Sequence, residues 1–185
     1  NNTTVVIDPY LSNSIEKLGF TRMVDPPVDA NNITADYLIC THDHGDHFDP
    51  ESVLPVMQNN PHCQLLGPKS VIKHAMDLGL VKEKCIQLEK GKSVEIANYI
   101  IKATHAIHSD PYSIGLILHC ADLAIYISGD TEYSEELLPT IRTDFDKLPD
   151  IVMICINGKF KNMNTDEAVS LTLGLHPKIA IPMHY

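Results

Sequence analysis

Short apolar runs rich in β-branched residues alternate along the chain with longer amphipathic stretches. This alternation is typical of a layered α/β domain. The predicted strands cover residues 4–7, 37–41, 64–67, 85–88, 99–106, 114–119, 124–128, 151–156 and 179–183. The predicted helices cover residues 50–58, 69–78, 134–142 and 165–173, and the last begins with Asn164 and Glu167 in the spacing of a capping box.

Two connections between these elements are informative. Ala121 and Asp122 join two apolar runs in the way that a tight hairpin turn does. The stretch 12–32 contains the pair Pro26-Pro27 and has no clear period. Because loops of that length usually serve a function, we expect it to be a lid or a specificity loop.

Length and composition favour one domain, since 185 residues with 44% apolar content can bury a single substantial core. The chain starts at Asn1 directly on a strand and stops one residue past His184, so we expect it to be a segment of a longer protein. The net charge of -10, without a basic stripe, excludes a general nucleic-acid binder.

Cysteine usage and hydropathy suggest a compartment. The five cysteines form no C-x-x-C pair, and an odd, scattered set fits a reducing compartment, so we expect a cytoplasmic protein. The sequence contains no apolar run of membrane-spanning length and no signal peptide, so we expect no membrane partner.

The segment from Thr41 to His47 has the densest chemistry of the chain. It follows the apolar run 37–40 and holds three histidines and two aspartates. Such groups are costly to bury without a partner, so a metal site is favoured over a polar surface turn. In the spacing H-x-H-x-D-H, His42 and His44 can reach one metal ion, while Asp46 and His47 turn toward a second.

Four further candidate ligands share one placement, just past the end of a predicted strand: Asp8, His108, Asp130 and His184. Ligands collect at the carboxyl edge of sheets in layered α/β folds, so these residues support one another. Taken alone, Asp130 and His184 would be solvated or hydrogen-bonded side chains. Gly129 permits close backbone approach beside a metal.

His105 competes with His108 as a ligand. The two are three residues apart, so on a regular strand they point to opposite faces and only one can be a ligand. We favour His108, which lies at the strand's end before the polar pair Ser109-Asp110.

Together, these residues resemble the five-motif signature of the metallo-β-lactamase superfamily. Finer features resemble the L-ascorbate-6-phosphate lactonase group. They are Ile7-Asp8-Pro9-Tyr10-Leu11-Ser12, His108-Ser109-Asp110-Pro111-Tyr112, Ser128-Gly129-Asp130-Thr131, Ile156-Asn157-Gly158 with Asn162-Met163-Asn164, and Pro182-Met183-His184-Tyr185.

The resemblance implies a four-layered αβ/βα sandwich, with a further strand pair before Asp8 and further chain after His184 that this sequence lacks. It also implies one or two divalent ions, zinc or manganese with iron as a third option. The implied ligands are His42, His44 and His108 for one ion and Asp46, His47 and His184 for the other, with Asp130 bridging and Asp8 behind the ligands. Asp46 and Asp130 are the implied catalytic carboxylates, and Asp46 would also accept a proton.

We therefore predict a hydrolase that uses a metal-activated water to open the lactone of a sugar-acid phosphate, such as L-ascorbate 6-phosphate. The substrate is a small molecule, and a phosphate on it would need local cations. Candidate substrate contacts are Asn157, Lys159 and Lys161. A metal-dependent phosphodiesterase and a metal-binding module without turnover remain as alternatives, and homo-oligomers are compatible with the sequence.

Overall fold

The computed structural model describes residues 3–145 and 147–185. The chain divides into two compact units, unit 1 (Asn1–Gln87) and unit 2 (Leu88–Tyr185). Each unit contains its own sheet, helices and apolar core, which confirms the α/β class.

Within residues 3–87, unit 1 has a four-stranded parallel sheet in the order β1-β2-β3-β4. The strands are β1 (Val5–Ile7), β2 (Tyr37–Ile39), β3 (Gln64–Gly67) and β4 (Cys85–Gln87). The helices are α1 (Pro50–Asn59) and α2 (Lys69–Asp77), with short 3-10 helices at Ser14–Leu18, Ala30–Asn32 and Lys82–Lys84. Leu38 and Leu65 of the sheet share one core with Val53 of α1 and Val71 of α2. This core places helices α1 and α2 against one face of the parallel sheet.

Within residues 88–145 and 147–185, unit 2 has a six-stranded sheet in the order β10-β9-β8-β7-β6-β5. The strands are β5 (Ser93–Ile96), β6 (Tyr99–His105), β7 (Ile114–Cys120), β8 (Leu123–Ile127), β9 (Ile151–Cys155) and β10 (Ile179–Met183). Strands β5 to β8 form an antiparallel meander. Helices α3 (Leu137–Asp144) and α4 (Thr165–Leu175) make the crossovers to β9 and β10, which are parallel to β8. Leu137 and Leu171 from these helices pack on Ile117, Tyr126 and Val152 of the sheet.

Several predicted local features are confirmed. The capping box of α4 is present, with the Asn164 side chain accepting from Glu167 N–H and the Glu167 carboxylate accepting from Asn164 N–H. The predicted hairpin turn joins β7 to β8. Helix α3 begins at Leu137 instead of residue 134, which places Pro139 in its first turn, where a missing N–H costs little. Strand β5 was not predicted.

The strand directions place the candidate ligands at one edge of each sheet. In unit 1, Asp8 and the segment from Thr41 to His47 follow the parallel strands β1 and β2. In unit 2, strands β6, β8, β9 and β10 run in the same direction, and His108, Asp130 and His184 follow three of them. The predicted placement at carboxyl edges is therefore confirmed within each unit.

In the described part of the chain, none of the helices is both long enough and apolar enough for a membrane crossing.

Candidate metal-binding residues

The carboxylate of Asp8 organises the ligand segment of unit 1. Its Oδ1 accepts the backbone N–H of Thr41 (2.7 Å), and its Oδ2 accepts the Thr41 hydroxyl (2.8 Å). The same Oδ2 lies 2.9 Å from Nδ1 of His47. Asp8 has a backbone φ of 47° and donates its own N–H to the carbonyl of Ile39 (2.8 Å). Asp8, which follows β1, thus fixes the backbone at the end of β2 and at Thr41.

These bonds decide which nitrogens of His42 and His47 carry a proton. The Thr41 hydroxyl donates its hydrogen bond to Asp8, so its oxygen, 3.1 Å from His42 Nδ1, acts as an acceptor there. His42 Nδ1 must then donate, as His47 Nδ1 does to Asp8. In the neutral rings, both Nε2 atoms keep a lone pair, which is the form that binds metal.

The ligand atoms of unit 1 form two close pairs. His42 Nε2 lies 3.0 Å from His44 Nδ1, and Asp46 Oδ2 lies 3.8 Å from His47 Nε2. Two atoms bound to one tetrahedral zinc at about 2.1 Å lie about 3.4 Å apart. Both pairs can therefore close on an ion with small movements, as the H-x-H-x-D-H spacing predicts.

Two neighbours of this segment were not predicted from the sequence. Asp43 turns to α2, where its Oδ1 lies 2.6 Å from Nδ1 of His74, and the His74 ring packs against Phe48 at a centroid distance of 4.9 Å. A Cβ on Gly45 would lie 2.7 Å from Cγ2 of Ile15. Position 45 must therefore lack a side chain for the 3-10 helix Ser14–Leu18 to pack here.

The stretch 12–32, predicted to be a lid or specificity loop, is anchored at its base. The Arg22 guanidinium lies 4.0 Å from the centroid of the Tyr10 ring and donates to the carbonyls of Tyr10 (2.5 Å) and Ser12 (3.2 Å). Its role as a lid stays a prediction.

Cys40 stands directly before the ligand segment but is a packed side chain. Burial, reinforced by nearby carboxylates, raises the pKa of the Cys40 thiol well above its ordinary value. It therefore stays protonated, whereas a metal-binding cysteine is a thiolate.

In unit 2, Asp130 lies between two histidines. Its Oδ1 is 3.4 Å from Nε2 of His184, and its Oδ2 is 3.8 Å from Nε2 of His108. The Asp130 side chain is only 5% exposed, and Oδ2 also accepts a hydrogen bond of 2.6 Å from Nδ2 of Asn162. Each oxygen of Asp130 thus faces the ring of one candidate ligand.

The structure places His108, not His105, beside Asp130. His105 is the last residue of β6 and pairs with Ile114. Burial lowers the pKa of His105, and the positive charge of Lys90 lowers it further. The geometry agrees with the preference for His108, although which histidine binds metal stays a prediction.

The three candidate substrate contacts of unit 2 differ in their surroundings. Asn157 is half-buried, and its Nδ2 lies 2.9 Å from Nδ1 of His184. Lys159 and Lys161 are exposed on the loop that follows β9. Asn157 thus contacts a predicted ligand, whereas the two lysines remain available to an anion.

The backbone of unit 2 is left-handed at two positions just past strand ends. Gly129, directly before Asp130, has a φ of 56°, and His184 has a φ of 54°. A histidine in this left-handed region is uncommon, and such residues cluster at functional sites.

The chain is similar over most of its length to known proteins. The family model described as a β-lactamase superfamily domain matches residues 3–185. A UPF0173 protein of Pyrococcus furiosus is 28% identical over 185 residues, covering 99% of this chain and 75% of that protein. A UPF0173 metal-dependent hydrolase of Staphylothermus marinus is 29% identical over 184 residues, covering 98% of this chain and 73% of that protein. The solved structure of Igni18, a novel metallo hydrolase from the hyperthermophilic archaeon Ignicoccus hospitalis, has a TM-score of 0.74 at 23% identity and covers 98% of this chain and 74% of that one.

Proposed function

Because the chain belongs to the metallo-β-lactamase superfamily, and the predicted fold class is thereby confirmed, we propose that it is a metal-dependent hydrolase. The observation that carries this proposal is the pair of oriented histidines in unit 1. Asp8 and Thr41 accept the Nδ1 hydrogen bonds of His47 and His42, so in the neutral rings Nε2 is the nitrogen that carries the lone pair. Histidines that bind a metal almost always donate the other ring N–H to a partner of this kind.

The donor set fits a divalent cation. Imidazole nitrogens and carboxylate oxygens suit zinc, manganese and iron, so zinc or manganese stays the proposed cofactor, with iron as the third option. The proposed ligands are those that the family resemblance implies: His42, His44, Asp46, His47, His108, Asp130 and His184. When bound, such ions activate water at neutral pH and polarise the oxygen under attack.

The carboxylates of the chain differ in what they can do. Asp46 is 32% exposed, so it can exchange a proton with solvent, and it is the proposed proton acceptor. Asp130 is nearly buried and accepts a bond from Asn162, so its proposed role is that of a ligand held in one orientation.

The substrate that we propose is the lactone of a sugar-acid phosphate. This finer assignment is supported by the resemblance of the segments around Asp8, His108, Asp130, Asn157 and His184 to the lactonase group. It is also supported by the exposed cations Lys159 and Lys161, since a chain with a net charge of -10 needs local positive charge to bind a phosphate.

Metal content and turnover test this proposal together. The metal content of the purified protein is measured by elemental analysis, and hydrolysis of a sugar lactone 6-phosphate and of a generic phosphodiester is followed. His44→Ala removes a proposed ligand, and the control His62→Ala removes an exposed imidazole.

We expect one or two divalent ions per chain and lactone opening that His44→Ala abolishes and His62→Ala retains. If the protein hydrolyses only the phosphodiester, the phosphodiesterase alternative would replace the lactone assignment. The proposal of a bound metal would then still hold. A protein that binds no metal, or whose turnover survives His44→Ala, would disprove the hydrolase proposal.

A further inference from the structure

The loop after β9 has an unusual backbone. Gly158, Phe160 and Lys161 have φ values of 60°, 53° and 70°, and the last two are not glycines. Such a conformation persists only where the surroundings enforce it. Here the N–H of Gly158 donates to the carbonyl of Met163 (3.0 Å), and the N–H of Met163 donates to the carbonyl of Thr131 (2.9 Å). The loop is therefore closed on itself and tied to the residue that follows Asp130.

This loop presents an amide to each of two predicted metal ligands of unit 2. Asn162 is buried and donates from Nδ2 to Oδ2 of Asp130 at 2.6 Å. Asn157 lies 2.9 Å from Nδ1 of His184. We propose that Asn157 and Asn162 are positioning residues that orient His184 and Asp130 for metal binding. This inference rests on the proposed function.

For Asn162, the bond fixes the rotation of the Asp130 carboxylate. With Oδ2 held by the amide, Oδ1 is directed to Nε2 of His184 at 3.4 Å. A neutral donor stabilises the ionised carboxylate without adding a charge that would compete with a cation. Without this bond, the carboxylate can rotate away from the histidines on its two sides.

For Asn157, the relevant contact decides the tautomer of His184. Since Nε2 is the atom that faces Asp130, His184 can bind metal there only if Nδ1 carries the ring proton. The partner of Nδ1 must then accept, and the amide does so when Oδ1 takes the place of Nδ2. The two ends of an amide are nearly equal in size, so this rotation needs no further space. In this orientation, Asn157 accepts a hydrogen bond from Nδ1 of His184, as Asp8 does from Nδ1 of His47.

The experiment measures Co²⁺ binding, followed by visible absorption and by competition with a chelator. The variants are Asn157→Leu and Asn162→Leu, which remove the polar groups at similar size, and Asn157→Asp, which keeps an acceptor. Asn164→Ala is the matched control, because it removes the cap of α4 from the same segment without touching either ligand.

We expect both leucine variants to bind Co²⁺ about 10–100-fold more weakly, the usual effect of losing a partner behind a ligand. Asn157→Asp should bind Co²⁺ with the wild-type affinity. Asn164→Ala should also keep this affinity, although the loss of the α4 cap makes the fold less stable. The absorption spectrum of the leucine variants should also change, because the geometry around Co²⁺ is altered.

Wild-type affinity in the leucine variants would overturn this inference alone. If Asn157→Leu does not fold, the test rests on Asn157→Asp. A loss of Co²⁺ affinity of about tenfold or more in that folded variant overturns the proposal. A wild-type protein that binds no Co²⁺ would overturn the proposed function and this inference with it.

Discussion

The residues that orient the predicted ligands are ordinary polar side chains. In unit 1, the Thr41 hydroxyl accepts a hydrogen bond from Nδ1 of His42 and donates one to Asp8. One carboxylate thereby sets the protonation of two rings, His42 through the hydroxyl and His47 directly. The loss of a partner behind a ligand typically weakens metal binding by about 10–100-fold.

Gly45 is the residue of the ligand segment whose size is most constrained. Gly45→Ala places a methyl group 2.7 Å from Cγ2 of Ile15, a β-branched side chain that cannot easily rotate away. We expect the substitution to lower the free energy of unfolding by about 1–3 kcal/mol in a urea titration.

The background variant Ile15→Ala identifies the cause. With the Ile15 methyl groups removed, Gly45→Ala should cost less than about 0.5 kcal/mol, so the two changes should not be additive. An equal cost in both backgrounds would show that the backbone at position 45, and not this contact, excludes alanine.

At the scale of elements, Asp150 joins the starts of three strands of unit 2. It precedes β9, and its carboxylate accepts the N–H of Ala124 in β8 (3.0 Å). Lys178, directly before β10, lies 2.8 Å from the same carboxylate, and Lys147 lies 3.1 Å from it. The hydrogen bond from Lys178, then those from Ala124 and Lys147, hold the pKa of Asp150 well below its ordinary value.

This lowered pKa predicts a pH-dependent stability. Because the folded pKa lies below the unfolded value of about 3.9, Asp150 stabilises the fold above that pH, and the contribution is lost as the pH falls through the folded pKa. In urea titrations, Asp150→Asn should have a lower free energy of unfolding than wild type at neutral pH. This difference in the free energy of unfolding should narrow below about pH 4. Glu95→Gln, a change at an exposed side chain, is the control and should unfold with the same free energy as wild type. A difference between Asp150→Asn and wild type that does not change with pH would contradict this account.

Most strands and helices could be predicted because their apolar residues recur with the period of the element. The placement of the candidate ligands at strand ends could be predicted because they directly follow apolar runs. Strand β5 was missed because Ser93 and Glu95 are exposed and leave it little apolar signal. Two contacts near the candidate ligands were missed for another reason. Asn162 meets Asp130 across 32 residues, and His74 meets Asp43 across 31, so no local pattern joins them.

At the scale of the whole molecule, the net charge of -10 favours association with cations. If the proposed ligands bind zinc only in the folded chain, free zinc at 100 times its dissociation constant should raise the free energy of unfolding by about 2.7 kcal/mol. Denaturant titrations with and without zinc measure this increase, and a chelator should reverse it. His44→Ala should show a much smaller increase, and an increase as large as that of wild type would count against His44 as a ligand.

The left-handed backbone at His184 opposes thermal stability to the proposed metal binding. Glycine adopts that conformation without steric cost, so selection for survival at high temperature alone would favour glycine at position 184. Such a variant would lack the imidazole of a proposed ligand, and position 184 should therefore be held constant in that selection. At Asp8, the same conformation is held by the bonds from the carboxylate to Thr41 and His47, which glycine would lose.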